Sequence, residues 1–176
     1  MFDLPPEGPV LLVFGGSQGA RSLNELVVNE FGREGPAVLH LAGERDFEAL
    51  RDRVSRPDYR LVPYTHDFGA ALGACDLVLS RAGGSVYDLA LAGKPAVLVP
   101  YPHATADHQA KNAEYFEQAG AAVVVPDAQV SRVPVLVREL LADPVRLAAM
   151  SERMLAVARP NAADEIAEGL IALAGR

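Results

Sequence analysis

The sequence predicts a doubly wound α/β domain, a Rossmann-like parallel sheet of about six strands with helices on both faces and further helices at the C-terminus. Two patterns carry this. Short β-rich runs recur that are apolar at nearly every position instead of alternating, which is what strands covered on both faces require. Each run but the last is followed by a stretch with apolar residues three and four apart, the spacing of an amphipathic helix.

The first nine residues, with three prolines and one glycine, read as a connecting segment, so that a single domain spans 10–176. Val10 to Phe14 opens the sheet and Arg21 to Phe31 is the first helix. The strand Ala37 to Leu41 precedes the helix Asp46 to Val54, and Arg60 to Val62 precedes His66 to Ala74. Asp76 to Ser80 leads into Ser85 to Ala92, and Ala96 to Val99 leads through a long loop into His108 to Ala119. Ala121 to Val125 is the last strand. Gly93 and Gly120 each follow a helix directly, where a left-handed residue closes the last turn. Ser85 is the expected N-cap of its helix, with Asp88 three residues on to complete the cap. Beyond Val125 the pattern is helix only: Pro134 to Leu141, Val145 to Arg159 and Asn161 to Ala174, with Pro144 in a first turn and Pro160 between the last two. Those two helices pack on the sheet or reach elsewhere.

Composition removes several classes of function. The net charge is -7 and the 16 basic residues are scattered, which argues against a phosphate-backbone footprint and hence against nucleic acid. Cys75 is the single cysteine, so neither an internal disulfide nor a cysteine zinc set can be built, in keeping with a reducing compartment. The apolar runs are far shorter than the roughly 20 residues that span a bilayer as a helix.

Ligands of doubly wound sheets bind beyond the carboxyl ends of the strands, and three loops stand out there. In Gly15-Gly16-Ser17-Gln18-Gly19-Ala20-Arg21 the glycines expose N–H groups, Ser17 offers a hydroxyl, and the helix behind favours an anion. A phosphate fits, although the glycines can equally serve only a tight turn. The loop is neither Gly-x-Gly-x-x-Gly nor Walker A, which counts against a dehydrogenase. In Ser80 to Asp88, Gly83 and Gly84 permit close approach of the backbone, and Arg81 can meet a diphosphate or an acidic neighbour. Asp88 either completes the cap or accepts hydrogen bonds from two sugar hydroxyls. In Pro100 to Asn112, Gln109 suits sugar hydroxyls or is a solvated first-turn residue, and Asn112 lies one turn on, on a nearby face. His103, Asp107 and His108 match no zinc motif, and no metal is expected.

Together, Gly15 to Asn24, Ser80 to Gly84, Pro100 to Asn112 and the tail Arg159-Pro160-Asn161-Ala162-Ala163 resemble the donor-binding half of the MurG family, over nearly the whole chain. That family transfers N-acetylglucosamine to the lipid-linked muramoyl-pentapeptide of peptidoglycan. The resemblance implies one half of a GT-B fold that holds UDP-N-acetylglucosamine. By residue, it places Gly15, Gly16, Ser17 and Gly19 at the diphosphate, Tyr64 beside the uracil, and the backbone of Thr65 at the base edge. Gln109 binds the sugar hydroxyls, with His108 beside it where some relatives carry glutamine. Arg81, Gly83, Gly84 and Ser85 belong to the second glycine loop. Asp88 falls where the family usually has a ribose-binding glutamate, behind a loop one residue shorter. The implied reaction is an inverting displacement of UDP without a cofactor. His103 is the only local candidate for the general base; an acceptor-binding domain, which has no counterpart in these residues, is the better source. The chain alone is therefore expected to be inactive. The complete enzyme is expected to be cytoplasmic and peripheral at the inner face of the cell membrane. Two other readings stay open: a stand-alone UDP-sugar-binding subunit of a two-chain glycosyltransferase, and a sugar-nucleotide epimerase of the same fold.

Overall fold

The computed structural model describes residues 2–5, 7–16 and 20–175. Six strands, β1 (Val10–Phe14), β2 (Ala37–Leu41), β3 (Tyr59–Val62), β4 (Leu77–Ser80), β5 (Ala96–Leu98) and β6 (Ala122–Val124), form one sheet in the order β3-β2-β1-β4-β5-β6. All five pairings are parallel. Between them run α1 (Arg21–Phe31), α2 (Glu44–Leu50), α3 (Phe68–Gly73), α4 (Val86–Leu91) and α5 (His108–Gln118). Three more follow: α6 (Val133–Leu141), α7 (Pro144–Ala156) and α8 (Ala162–Ala174).

The largely apolar strands β1, β2, β4 and β5 are buried on both faces. Leu11, Val13, Val38, Leu79 and Val97 point to one side, where Leu23, Val27 and Phe31 of α1 and Val133, Val137 and Leu140 of α6 cover them. Leu12, Phe14, Leu39, Val78 and Leu98 point to the other, under Val86 and Leu89 of α4 and Ala113 and Phe116 of α5. The alternation of a strand thus divides one apolar run between two layers. Phe2 and Leu4 of the opening segment pack on the second layer, and Asp3 pairs with Arg60 of β3 at 3.3 Å.

Local chemistry sets the helix ends. The N–H of Gly93 donates to Ala90 and that of Lys94 to Leu89, at 3.1 and 2.9 Å, while Gly120 and Ala121 do the same to Glu117 and Phe116 at 2.8 and 2.9 Å. Both are Schellman closures with a left-handed glycine, φ 61° and 68°, as expected. The helix expected from His66 starts at Phe68, because the Asp67 carboxylate accepts the N–H of Ala70 at 2.8 Å. Pro144 occupies the first turn of α7, with Asp143 as its cap. Ser85 departs from expectation. Its own backbone is helical, φ -61° and ψ -12°, and it makes no side-chain cap. A capping hydroxyl needs an extended residue to reach back to the following N–H groups. Here the chain already turns at Gly83 and Gly84, whose carbonyls accept from Val86 and Tyr87.

The last two helices differ. α7 places Met150 in one layer and Met154 in the other, whereas α8 buries nothing and leaves Ile166, Leu170, Ile171 and Leu173 exposed. Among the described residues no helix is long and apolar enough to cross a membrane.

Candidate functional site

In this strand order β1 lies beside β4, and the connections leave the two strands toward opposite edges of the sheet. Their carboxyl ends therefore frame a crevice, the usual ligand position in such sheets. Gly15 and Gly16 sit there, at the end of β1. Gly16 has φ 90° and open space where a Cβ would stand, so its conformation, not crowding, demands glycine. Ser17, Gln18 and Gly19 lie outside the described residues. α1 starts at Arg21 without a side-chain cap from Ala20, and among the described residues its first N–H groups have no partner.

Two cavities open at this end and meet at Gly15 and Gly16. The first, about 260 Å³, is mostly apolar, with Phe14, Leu41, Pro63, Tyr64, Thr65 and Phe68 among its walls. Phe68 meets Phe14 edge to face at 5.1 Å. Tyr64 stands half-exposed above this floor, with its ring against His66. The Thr65 hydroxyl accepts the N–H of Asp67 at 3.2 Å, while its own N–H and C=O are unpaired among the described residues. The second cavity, about 430 Å³, is lined by Gly15, Ala20, Arg21, Ser22, Arg45, Arg81, Tyr101 and Gln109.

Arg81 meets an acidic neighbour, as the sequence allows, and also lines the second cavity. The guanidinium is 9% exposed and donates to Asp127 and to the Ser22 hydroxyl, both at 2.7 Å, and to the carbonyls of Val99 and Pro100. It also lies over the Tyr101 ring, 5.5 Å from its centroid. Arg81 thereby joins the loops after β4, β5 and β6 to the start of α1. Asp127 is legible in the sequence only as one surface acid among many.

The remaining residues divide. Gly83 and Gly84 have open space at their Cβ positions. Asp88 is exposed and makes no side-chain hydrogen bond or ion pair among the described residues, so it does not complete a cap. The Gln109 carbonyl accepts the N–H of Tyr101 at 2.9 Å, which leaves its NH2 group on the second cavity. Asn112 donates to the Ala82 carbonyl and accepts from the Tyr87 hydroxyl, tying α5 to the second glycine loop. His108 is exposed, its Nδ1 donating to the Thr105 carbonyl at 2.9 Å. His103 packs on Tyr101 and lines neither cavity. Among the described residues no three His, Cys, Asp or Glu side chains come together as a metal site.

One group escapes the sequence reading altogether. His40, at the middle of β2, is fully buried and stands 2.9 Å from Asn24 of α1 and 2.7 Å from the Tyr59 hydroxyl of β3. The NH2 of Asn24 donates to the Ala42 carbonyl at 2.8 Å and to Asp46 at 3.0 Å, so its oxygen must face His40. Nε2 of His40 is therefore the donor, and Nδ1 accepts from Tyr59. Burial holds the imidazole neutral, its pKa lowered to about 3, and pushes the Tyr59 phenol up. Asp46 is held below the usual carboxylate range, first by the hydrogen bond from Arg45. A histidine inside an otherwise apolar strand was the available signal.

The strand order and the glycine turns define the class, a doubly wound α/β domain with a crevice between its β1 and β4 loops. The chain belongs to the glycosyltransferase family 28 C-terminal domain family, which it matches over residues 10–166. It is 44% identical over 168 residues to a Halorhodospira halophila protein named UDP-N-acetylglucosamine--N-acetylmuramyl-(pentapeptide) pyrophosphoryl-undecaprenol N-acetylglucosamine transferase, covering 90% of this chain and 47% of that one. A Rubrobacter xylanophilus protein of the same name is 40% identical over 174 residues, 97% of this chain and 51% of its own. The crystal structure of Acinetobacter baumannii MurG superposes with a TM-score of 0.79 at 27% identity, covering 93% of this chain and 50% of that one. The architecture is that of a GT-B glycosyltransferase domain, and the chain spans about half the length of the relatives it matches.

Proposed function

We propose that this chain is the donor-binding domain of a MurG-like inverting glycosyltransferase, holding UDP-N-acetylglucosamine while a hydroxyl of lipid-linked muramoyl-pentapeptide displaces UDP. The observation that carries the reading is the pair of cavities joined at Gly15 and Gly16. The apolar one, with the Tyr64 ring and the backbone groups of Thr65 that have no partner among the described residues, suits a uracil. The polar one, with arginines and the Gln109 amide, suits a diphosphate and a sugar.

The chemistry follows from charge. As the bond to the anomeric carbon breaks, negative charge builds on the diphosphate, and N–H groups fixed at the β1 turn and the start of α1 stabilise it most in the transition state. Such dipoles need no reorganisation, and the reading calls for no divalent cation. Ser17, carried over from the family, adds a hydroxyl to the diphosphate, and Asp88 faces the ribose. The base that takes the acceptor proton is better supplied by an acceptor-binding domain than by His103, which packs on Tyr101 but lines neither cavity. A lipid-linked acceptor places the complete enzyme peripherally at the inner face of the cell membrane.

Calorimetric titration tests the reading. UDP and UDP-N-acetylglucosamine should bind this chain, ADP more weakly, and no sugar should reach a lipid-linked acceptor. Equal affinity for UDP and ADP removes the uracil assignment. Transfer by these residues alone overturns the reading of the chain as a donor half.

A further inference from the structure

We propose that Arg21 and Arg45 are the side chains that take the charge of the nucleotide's diphosphate, and that the buried His40–Asn24–Asp46 chain positions Arg45 for it. The inference deepens the donor-binding reading and rests on it.

The second cavity carries three guanidinium groups and no carboxylate on its walls, in a chain whose net charge is -7. The three are not equivalent. Arg81 spends its donors on Asp127, Ser22 and two carbonyls, and holds the wall in place. Arg21, the first residue of α1, is exposed, and its charge reaches Asp46 without a direct ion pair among the described residues. Among the described residues Arg45 is gripped from one side: its Nε and Nη2 donate to Asp46 at 3.1 and 3.3 Å, and Nη1 has no partner. A planar guanidinium can hold a carboxylate by two N–H groups along one edge and still present a donor to a phosphate oxygen, a fixed fork that the rotating ammonium of lysine does not offer.

The grip on Arg45 is built from the interior outward. The Tyr59 hydroxyl donates to Nδ1 of His40, whose Nε2 donates to Asn24. Asn24 in turn donates to Asp46, and its second bond, to Ala42, prevents the amide from flipping. The Asp46 side chain is 12% exposed, so this carboxylate is a fixed anchor and not a mobile surface acid. In this arrangement His40, Asn24 and Asp46 are positioning residues, and only the two arginines touch the phosphates.

The test compares UDP, UMP and uridine by calorimetry on the parent chain and on Arg21→Gln and Arg45→Gln, two exposed sites where folding is not at stake. Each variant should bind UDP about tenfold more weakly and uridine within about twofold of the parent, with UMP between, and the salt dependence of UDP binding should become shallower. Unchanged UDP affinity in both variants overturns the inference, as does an equal loss for UDP and uridine. Asp46→Asn separates anchor from bystander by sign. If Asp46 merely adds negative charge near the cavity, its removal tightens UDP; if it holds Arg45, UDP weakens. Should that variant not fold, Arg45→Lys asks the same question: a charge without a fork must lose affinity, and full retention overturns the positioning role. A parent chain that binds no UDP refutes the donor-binding reading itself, a result distinct from parent-like variants.

Discussion

Arg81 and Asp127 stand 2.7 Å apart across 46 residues of sequence, and this ion pair joins the loops after β4 and β6, to which Arg81 ties the β5 loop through the Val99 and Pro100 carbonyls. Arg81 is 9% exposed and the Asp127 side chain 29%, so the pair is shielded from solvent screening. Asp127→Ala leaves a buried guanidinium without its counter-ion, at a cost of about 2–4 kcal/mol. For a chain of this size that lowers the melting temperature by roughly 5–12 °C. Asp127→Asn, which keeps an acceptor, should lose less. A melting temperature of the Ala variant equal to the parent's would show that the pair adds nothing to stability.

His40 makes stability depend on pH. Its folded pKa is lowered to about 3 from the usual 6.5, so between those values the unfolded chain binds a proton that the folded chain refuses. The contribution is therefore complete above about pH 6.5 and is lost progressively as the pH falls toward 3, by up to about 1.4 kcal/mol per pH unit. His40→Gln, which can still donate and accept, should flatten the fall in melting temperature between pH 7 and 4.5 relative to the parent. Parallel curves for the two proteins would mean that His40 takes up its proton in the folded state.

Asp88 carries no capping bond, and that sharpens its test. Asp88→Asn should leave the melting temperature unchanged and weaken UDP binding about tenfold, because a charge-assisted bond to a ribose hydroxyl is lost. For 2',3'-dideoxy-UDP, which has no hydroxyls to hold, the loss should be smaller. Parent-like affinity for UDP would show that this carboxylate, behind its shorter loop, does not reach the ribose.

Gly93 is required chiefly by its backbone. Its φ of 61° disfavours any side chain, and an added Cβ would stand 2.9 Å from Cγ of Leu155 on α7. Gly93→Ala should cost about 1–2 kcal/mol, mostly from the backbone, since the half-exposed Leu155 can give way toward solvent. Chemical denaturation measures this directly. With Leu155→Ala added, the clash disappears, and the double variant should lose less than the sum of the two single losses.

What the sequence determined by itself is what the chain decides locally. Apolar runs without alternation define strands covered on both sides, three- and four-residue spacing defines the helices, and a glycine that must turn left-handed marks a helix end, as at Gly93 and Gly120. Glycine-rich segments after β1 and β4 likewise announced a crevice, and the combination of loops announced the family. Tertiary structure decided the rest, because the outcome hangs on which distant groups share a space. The strand order brings the β1 and β4 loops side by side, and only then does Arg81 meet Asp127. Ser85 has the chemistry of a cap but lacks the backbone for it, since the turn is already wound at Gly83 and Gly84. His40 meets Asn24 and Tyr59 through the pairing of β2 with β3 and the packing of α1 on the sheet, and no local pattern encodes that meeting. A buried polar group must find its partner wherever the fold supplies one, and the cost of leaving it unpaired, rather than any spacing along the chain, selects the arrangement.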